Sequence, residues 1–384
     1  MTPLDDIRVL DFGQYLAGPF GPMVLADLGA DVIKVEPVSG DGMRPAGKAF
    51  FGCQRGKRSV ALDLKDRRGL ELALELVKTA DVVHHNMTLG TASRLGIDYA
   101  ACRAVRPDVI YAANYAYGAE GPLAHFGGLD PLFQASSGLE YEAGATSEGN
   151  DPLYYRFGMC DTGNAMLSVV GVLLALHHRD RTGEGQELWT SLLDAGALFS
   201  SDALVVDGKP IDRPRLDAGL HGFDAGYRLY ETSDDWIQVA AVGDGPRRSL
   251  RAVVGVQSDD QLDDAFRSRP SLAWHEALDA AGVPNEVPLD PEGGSRVLND
   301  STNVSLGLVA SFQHPTMGAM RQYGSVVGFS ASDPPELGPP PLVGEHTRSV
   351  LDELGVEQAD QDALRASGVV AWPDEDYAQR YGQW

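Results

Sequence analysis

Residues 155–194 read YRFGMCDTGNAMLSVVGVLLALHHRDRTGEGQELWTSLLD. Within them Met166, Val169, Val170, Leu173, Leu174 and Leu176 recur at spacings of three and four, the period of a buried helix face. Asp161 and Thr162 stand just ahead of that pattern, where an N-cap stands. Arg179 and Arg181 suit the negative end of the helix dipole, and Gly183 and Gly185 break the helix. Residues 186–193, aliphatic with one Trp, read as a strand. Asp161 admits two readings: a cap, or a carboxylate set among small residues at a helix start as a nucleophile. The local pattern leaves both open.

Outward from this stretch the N-terminal part reads as strand, loop, helix, strand. Residues 7–12 (IRVLDF) form a strand, 13–19 (GQYLAGP) a loop, 20–28 a helix and 31–36 (DVIKVE) a second strand. That unit favours a parallel, right-handed crossover. The loop is not a G-x-G-x-x-G fingerprint, but a Gly/Ala-rich turn at a strand's carboxyl end still brings backbone N–H groups to a ligand crevice. A helix over 69–79 and strands over 81–85 and 110–114 extend the pattern, and a further helix is expected from Asp130–Pro131. Residues 208–224, rich in Pro, Gly and charge, read as a linker. From Tyr227 the texture changes to a hairpin turning at 233–235, followed by three helices. The run DPPELGPPP at 333–341 is expected to be extended, and the acidic tail 358–384 is weakly patterned.

The expected division is therefore a large domain over 1–207, a linker over 208–225, a small α+β domain over 226–320, and a C-terminal return over 321–384. The fold class is α/β.

Composition narrows the function. The 384 residues carry 31 basic and 55 acidic side chains, a net charge of −24. That sign argues against nucleic acid and anionic lipid as partners. Cys53, Cys102 and Cys160 are few, odd in number and unpatterned, which suits a reducing cytosol and offers neither a disulfide framework nor a zinc site. Cys160 is expected to be a buried structural thiol. His84 and His85 alternate sides of a strand and do not converge on a metal. The apolar run 169–176 is too short to span a bilayer. Against this acidic background residues 51–68 gather Arg55, Lys57, Arg58, Lys65, Arg67 and Arg68, either a phosphate-binding patch or a solvated turn.

Several motifs in series carry a resemblance. They are VLDFxxxxAGP at 9–19, LGADVIKVEP at 28–37, RGKRSVALDLK at 55–65, ADVV at 80–83 and GxDPLFQASSG at 128–138. Asp161 follows, then ALxxRxRTGEGQ at 175–186, FQHPTMG at 312–318 and GEHT at 344–347. Together they resemble the class III CoA-transferases of the CaiB/BaiF type, which include formyl-CoA transferase, the carnitine/crotonobetaine enzymes and α-methylacyl-CoA racemase. The resemblance covers nearly the whole chain.

It implies a Rossmann-like large domain built from both chain ends, a smaller middle domain, and two subunits interlocked as a homodimer. It implies transfer of coenzyme A from an acyl-CoA to a carboxylic acid, with Asp161 as covalent nucleophile passing through an aspartyl anhydride and an aspartyl-CoA thioester; racemisation of an α-methylacyl-CoA and an inactive CoA-binding homologue are the alternatives. Coenzyme A enters as substrate, with no tightly held cofactor. Arg55, Lys57 and Arg58 would hold its nucleotide end, Asn86 and Arg94 match positions that contact it, and Gln134 and Ala135 match a pair beside the active site. Leu16 and Ala17 would border the coenzyme, and backbone N–H groups near residues 13–18, or in a loop of the partner subunit, would stabilise oxyanions.

Departures are also visible. HNMTLG at 85–90 replaces the family's ENFRPG, Leu16 stands where formyl-CoA transferase has a glutamine, and Pro37 replaces a basic residue. Leu129 takes the place of the racemase histidine, with His125 four residues earlier.

Overall fold

The computed structural model describes residues 1–156, 158–289, 292–325, 327–332 and 335–377. The chain forms two compact units: 1–137, 157–199 and 298–384 in one, 138–156 and 200–297 in the other.

The larger unit is built on a seven-stranded sheet. Its strands are β1 (Arg8–Asp11), β2 (Asp31–Glu36), β3 (Lys57–Leu62), β4 (Val82–His85), β5 (Ile110–Tyr115), β6 (Glu187–Ser191) and a short last strand, Val370–Ala371. The spatial order is last strand–β3–β2–β1–β4–β5–β6. All pairs are parallel except Val370–Ala371 against β3.

Both sheet faces are covered, so the strands alternate between two cores rather than between core and water. Val9, Val32, Val82, Ile110 and Ala112 face one core with Val24, Leu25, Val169, Val172 and Leu176. Their neighbours Leu10, Ile33, Val83 and Tyr111 face the other, with Leu76, Val77, Ile97 and Val350. Helices α1 (Phe20–Asp27) and α5 (Met159–Thr182) supply the first face; α2 (Arg67–Lys78) and α3 (Tyr99–Val105) pack on the second. Two further helices, α4 (Asp130–Ser136) and α6 (Leu192–Phe199), pack on α5.

Strand order reverses between β1 and β4, so the loops leaving their carboxyl ends diverge and open a crevice. The loop expected at 13–19 leaves β1 at that crevice.

Helix α5 begins earlier than its apolar pattern suggests. Its N-cap is Gly158, so Asp161 lies inside the first turn and does not cap. Gly183, at φ 76°, closes the far end in the left-handed region and donates its N–H to Arg179 O at 2.7 Å. At 24 residues α5 is long and apolar enough by length and composition to cross a membrane, unlike the short run read from the sequence, but half of that window is buried within the protein.

The smaller unit has a four-stranded antiparallel sheet, ordered Asn285–Glu286, Trp236–Ala240, Tyr227–Glu231, Gly222–Asp224. Tyr230, Ile237 and Val239 pack under Leu250, Phe266, Trp274 and Leu278. Its extent differs from the expected 226–320. Its main segment begins at Ser200, so the expected linker contributes strands at Lys209–Pro210 and Gly222–Asp224, and it also takes in 138–156. The hairpin Val309–His314/Gly318–Tyr323 belongs instead to the larger unit. Residues 335–341 lack regular structure, as their prolines dictate. Asp333, Pro334 and residues 378–384 lie outside the described residues. The tail before them is more ordered than expected, with a helix at Gln358–Ala366.

Candidate active site

The loop at 13–19 is fixed by polar side chains from five strands or their ends. Asp11 of β1 accepts from Gly13 N at 2.8 Å. Lys34 of β2 donates to Gly13 O at 2.8 Å, and Lys57 of β3 to Pro19 O at 2.6 Å. Asn86, just past β4, grips both sides of Gln14, accepting from its N–H and donating to its C=O at 2.8 Å each. Asn114 of β5 donates to Ala17 O at 3.2 Å. Within the loop Tyr15 sits at φ 63°, which costs a residue with a Cβ about 1–2 kcal/mol. Its N–H is held by Asp41 Oδ1 at 3.3 Å. Gly18 admits nothing larger, because a Cβ there would lie 2.6 Å from Asn86 Cγ and 2.8 Å from Gly13 Cα.

The charges that do this holding are sealed in. Lys34–Asp41 at 2.8 Å and Lys57–Asp11 at 2.7 Å have no exposed side-chain surface. Burial alone would raise the Asp11 carboxyl, but Lys57, His84 and Lys34 outweigh it and hold it well below the ordinary range. Burial would likewise lower Lys34, but Asp41, Asp11 and Glu36 keep its ammonium charged. Glu36 completes the cluster through Arg44 Nε at 2.8 Å.

Asp161 comes to this loop from α5. A Cβ built on Gly158 would stand 2.9 Å from Leu16 Cδ2 and 3.2 Å from Asp161 Oδ2, so both side chains crowd one small space. The Asp161 carboxylate is partly buried and accepts no hydrogen bond among the described residues. Its own N–H donates to Asp130 Oδ2 at 3.0 Å. Burial, and then the neighbouring Asp130, push its pKa up to about 7. Asp130 is in turn gripped by Gln134 Nε2 through its other oxygen. Cys160 is fully buried, and burial followed by Asp130 and Asp161 pushes its thiol up to about 12, so it is no thiolate nucleophile.

A carboxyl raised in the folded state favours the protonated form there. Stability is intact below the unfolded value near 4 and falls as pH rises toward 7. Asp161→Asn is therefore expected to be more stable than the parent at pH 8, by roughly 1–3 kcal/mol after allowance for solvent screening. The gap should close between pH 7 and 4 in urea titrations; a gap independent of pH would contradict the geometry.

The residues expected at the site are placed as follows. Leu16, Ala17, Asn86, Gln134 and Asp161 converge, with Asn86 strapping the loop and Gln134 holding Asp130. Ala135 is exposed one residue beyond Gln134. Arg94 is exposed, its guanidinium donating to Thr91 Oγ1 at 2.6 Å.

The basic stretch differs from an open phosphate patch. Arg55 pairs with Asp27 in the interior, Lys57 with Asp11, and Arg58 with Asp31 at 2.7 Å and Glu353 at 2.5 Å. Their charges are neutralised from within. His84 turns to Ser168 Oγ at 3.2 Å, while His85 packs by Tyr111 and Tyr115. No metal-holding cluster occurs among the described residues. Sequence reasoning missed Asp130 as a partner of Asp161. The available signal was an acidic residue opening a helix at Asp130–Pro131, read only as a helix start.

The chain matches the profile of CoA-transferase family III over residues 4–347. It belongs to that family. Among curated relatives, this CoA-transferase is 32% identical to the succinyl-CoA:mesaconate CoA-transferase of Haloarcula marismortui, with 93% of this chain and 98% of that protein covered. It is 29% identical to the succinyl-CoA:glutarate CoA-transferase of Mus musculus, over 96% of this chain and 91% of that protein. Among solved structures it superposes on a CaiB/BaiF family protein from Brucella suis with a TM-score of 0.79 and 27% identity, covering 92% of this chain and 99% of the other.

Proposed function

We propose that this enzyme moves coenzyme A from an acyl-CoA donor to a carboxylic acid through covalent intermediates on Asp161. The observation that carries the reading is a carboxylate at the start of α5 that accepts no hydrogen bond among the described residues and is crowded against the loop at 13–19. In the first step an Asp161 oxygen attacks the thioester carbonyl carbon. The tetrahedral adduct expels CoA thiolate and leaves an acyl–aspartyl anhydride. The thiolate then attacks the Asp161 carbonyl carbon, releasing the donor acid and forming an aspartyl-CoA thioester. The acceptor carboxylate attacks that thioester, and the freed thiolate attacks the acyl carbonyl, giving the new acyl-CoA and free Asp161. Each step exchanges one acyl–oxygen bond for one acyl–sulfur bond, or the reverse, without a net proton.

Each tetrahedral adduct carries an oxyanion, which backbone N–H groups of the fixed loop around Leu16 and Ala17 would receive. Arg94, exposed beyond β4, serves the CoA phosphates better than the internally paired Arg55, Lys57 and Arg58. With relatives named for succinyl-CoA, glutarate and mesaconate, the acyl groups are proposed to be short dicarboxylates. A screen of succinyl-CoA against glutarate, mesaconate and other acids tests this directly. Solvent deuterium exchange at the α-carbon without CoA transfer would instead support a racemase, although Leu129 stands in the racemase histidine's place.

Only the ionised carboxylate attacks. With Asp161 near 7, kcat/KM for the acyl-CoA should rise about tenfold per pH unit below 7 and level off above about 8. Initial rates from pH 5.5 to 9 measure it, and a flat profile would count against Asp161.

The active form is proposed to be the interlocked homodimer. Met166, Val170 and Leu174 on the outer face of α5 are 38%, 53% and 63% exposed, a row of apolar surface that a second subunit would cover. The three buried thiols suit a reducing compartment such as the cytosol.

A further inference from the structure

A trans peptide points its C=O and N–H in opposite directions. Whatever anchors a carbonyl therefore aims the N–H of the next residue. Three successive carbonyls of the loop are anchored. Tyr15 O accepts from Cys53 Sγ at 3.6 Å, Leu16 O from Phe20 N at 3.1 Å, and Ala17 O from Asn114 Nδ2 at 3.2 Å. The N–H groups on the far sides of those peptides, at Leu16, Ala17 and Gly18, have no acceptor among the described residues. Consecutive free N–H groups form a concavity that favours an anion.

Of the three anchors, Asn114 is the only side-chain amide. It is 2% exposed at the carboxyl end of β5. Two residues earlier Ala112 packs against α5, so by strand alternation Asn114 lies on the same sheet face. Its amide has one usable orientation. Thr190 Oγ1, from β6, donates to Asn114 Oδ1 at 3.2 Å, which leaves Nδ2 to hold Ala17 O.

We propose that Asn114, oriented by Thr190, is a positioning residue that locks the Ala17–Gly18 peptide so that the Gly18 N–H serves the reaction's oxyanion. The inference rests on the Asp161 mechanism above. Asn114 touches no substrate; it acts through the backbone it holds. Neither residue lies in the stretches that carry the family resemblance, which is why sequence reading passes over them.

The test uses Asn114→Asp at about pH 8 to 9, equal in size and, when ionised, with no hydrogen to donate, alongside Thr190→Val and Thr190→Ser. The probe is succinyl-CoA with the best acid from the panel. Asn114→Asp is expected to lower kcat about 10- to 100-fold with KM for succinyl-CoA changed less than about threefold, because a misdirected donor costs transition-state and not ground-state binding. Thr190→Val should lower kcat by a smaller factor in the same manner, and Thr190→Ser should restore it. Hydroxylamine capture at Asp161 in a single turnover should slow in step with kcat.

Wild-type kcat in folded Asn114→Asp, or a raised KM at unchanged kcat, overturns the proposal. If Asn114→Asp does not fold, Thr190→Val decides: full kcat there overturns it equally. An active Asp161→Ala would defeat the underlying mechanism. An inactive Asp161→Ala beside a fully active Asn114→Asp would defeat the positioning role alone.

Discussion

Asp161→Ala is expected to lower CoA transfer by at least roughly 10⁴-fold while leaving the fold and CoA binding in place. The side chain makes no hydrogen bond among the described residues, so its removal breaks no structural contact of that kind. It also removes a carboxylate that burial and Asp130 disfavour. Loss of function should therefore come without loss of stability, which separates a nucleophile from a cap, because removing a cap typically costs about 1 kcal/mol. The accompanying measurement is chemical. Hydroxylamine added during turnover should convert the aspartyl thioester to a hydroxamate, and peptide mapping should place that mass at residue 161. A hydroxamate elsewhere, or none under turnover, would remove Asp161 from the mechanism.

Lys57→Met should be among the most damaging substitutions to stability, at about 3–5 kcal/mol, because it leaves Asp11 buried and without its closest cation. Lys57 and Asp11 have no exposed side-chain surface and meet at 2.7 Å. Lys57 also holds Pro19 O, so the loop loses an anchor as well. Urea midpoints measure the effect. The double variant Lys57→Met/Asp11→Asn should recover part of the loss, since the residual burden is an unpaired charge. A single-variant cost under about 1 kcal/mol would show that the pair is solvated and that the loop does not depend on it.

These two sites show where sequence reading succeeds and where it stops. The helix behind Asp161 was legible, because a 3.6-residue period is a local signal, although Met166, Val170 and Leu174 of that period turn out exposed rather than buried. The parallel sheet was legible for the same reason: strands followed by glycine-rich turns and helices repeat along the N-terminal half. The start of α5 was misplaced by three residues. Asp161 has the chemistry of a cap, and only backbone geometry reveals that Gly158 takes that position.

The stretch at Arg55–Arg58 was legible in sign but not in use. Its partners Asp27, Asp11, Asp31 and Glu353 lie 27 to 295 residues away and meet it only through strand order. Asp130 was missed on the same grounds, since its contact with Asp161 spans 31 residues. The smaller unit's recruitment of residues 138–156, with a short helix at Leu139–Ala143, left no trace in the sequence pattern.

The anchoring of the loop at 13–19 has an evolutionary corollary. The sheet grips main-chain atoms there, while the side chains of Gln14, Tyr15 and Leu16 take no part in the grip among the described residues. Mutations at these three positions can therefore reshape the room offered to an acyl group without disturbing the apparatus beneath. A single scaffold can in this way diversify among many carboxylic acids while its chemistry stands still.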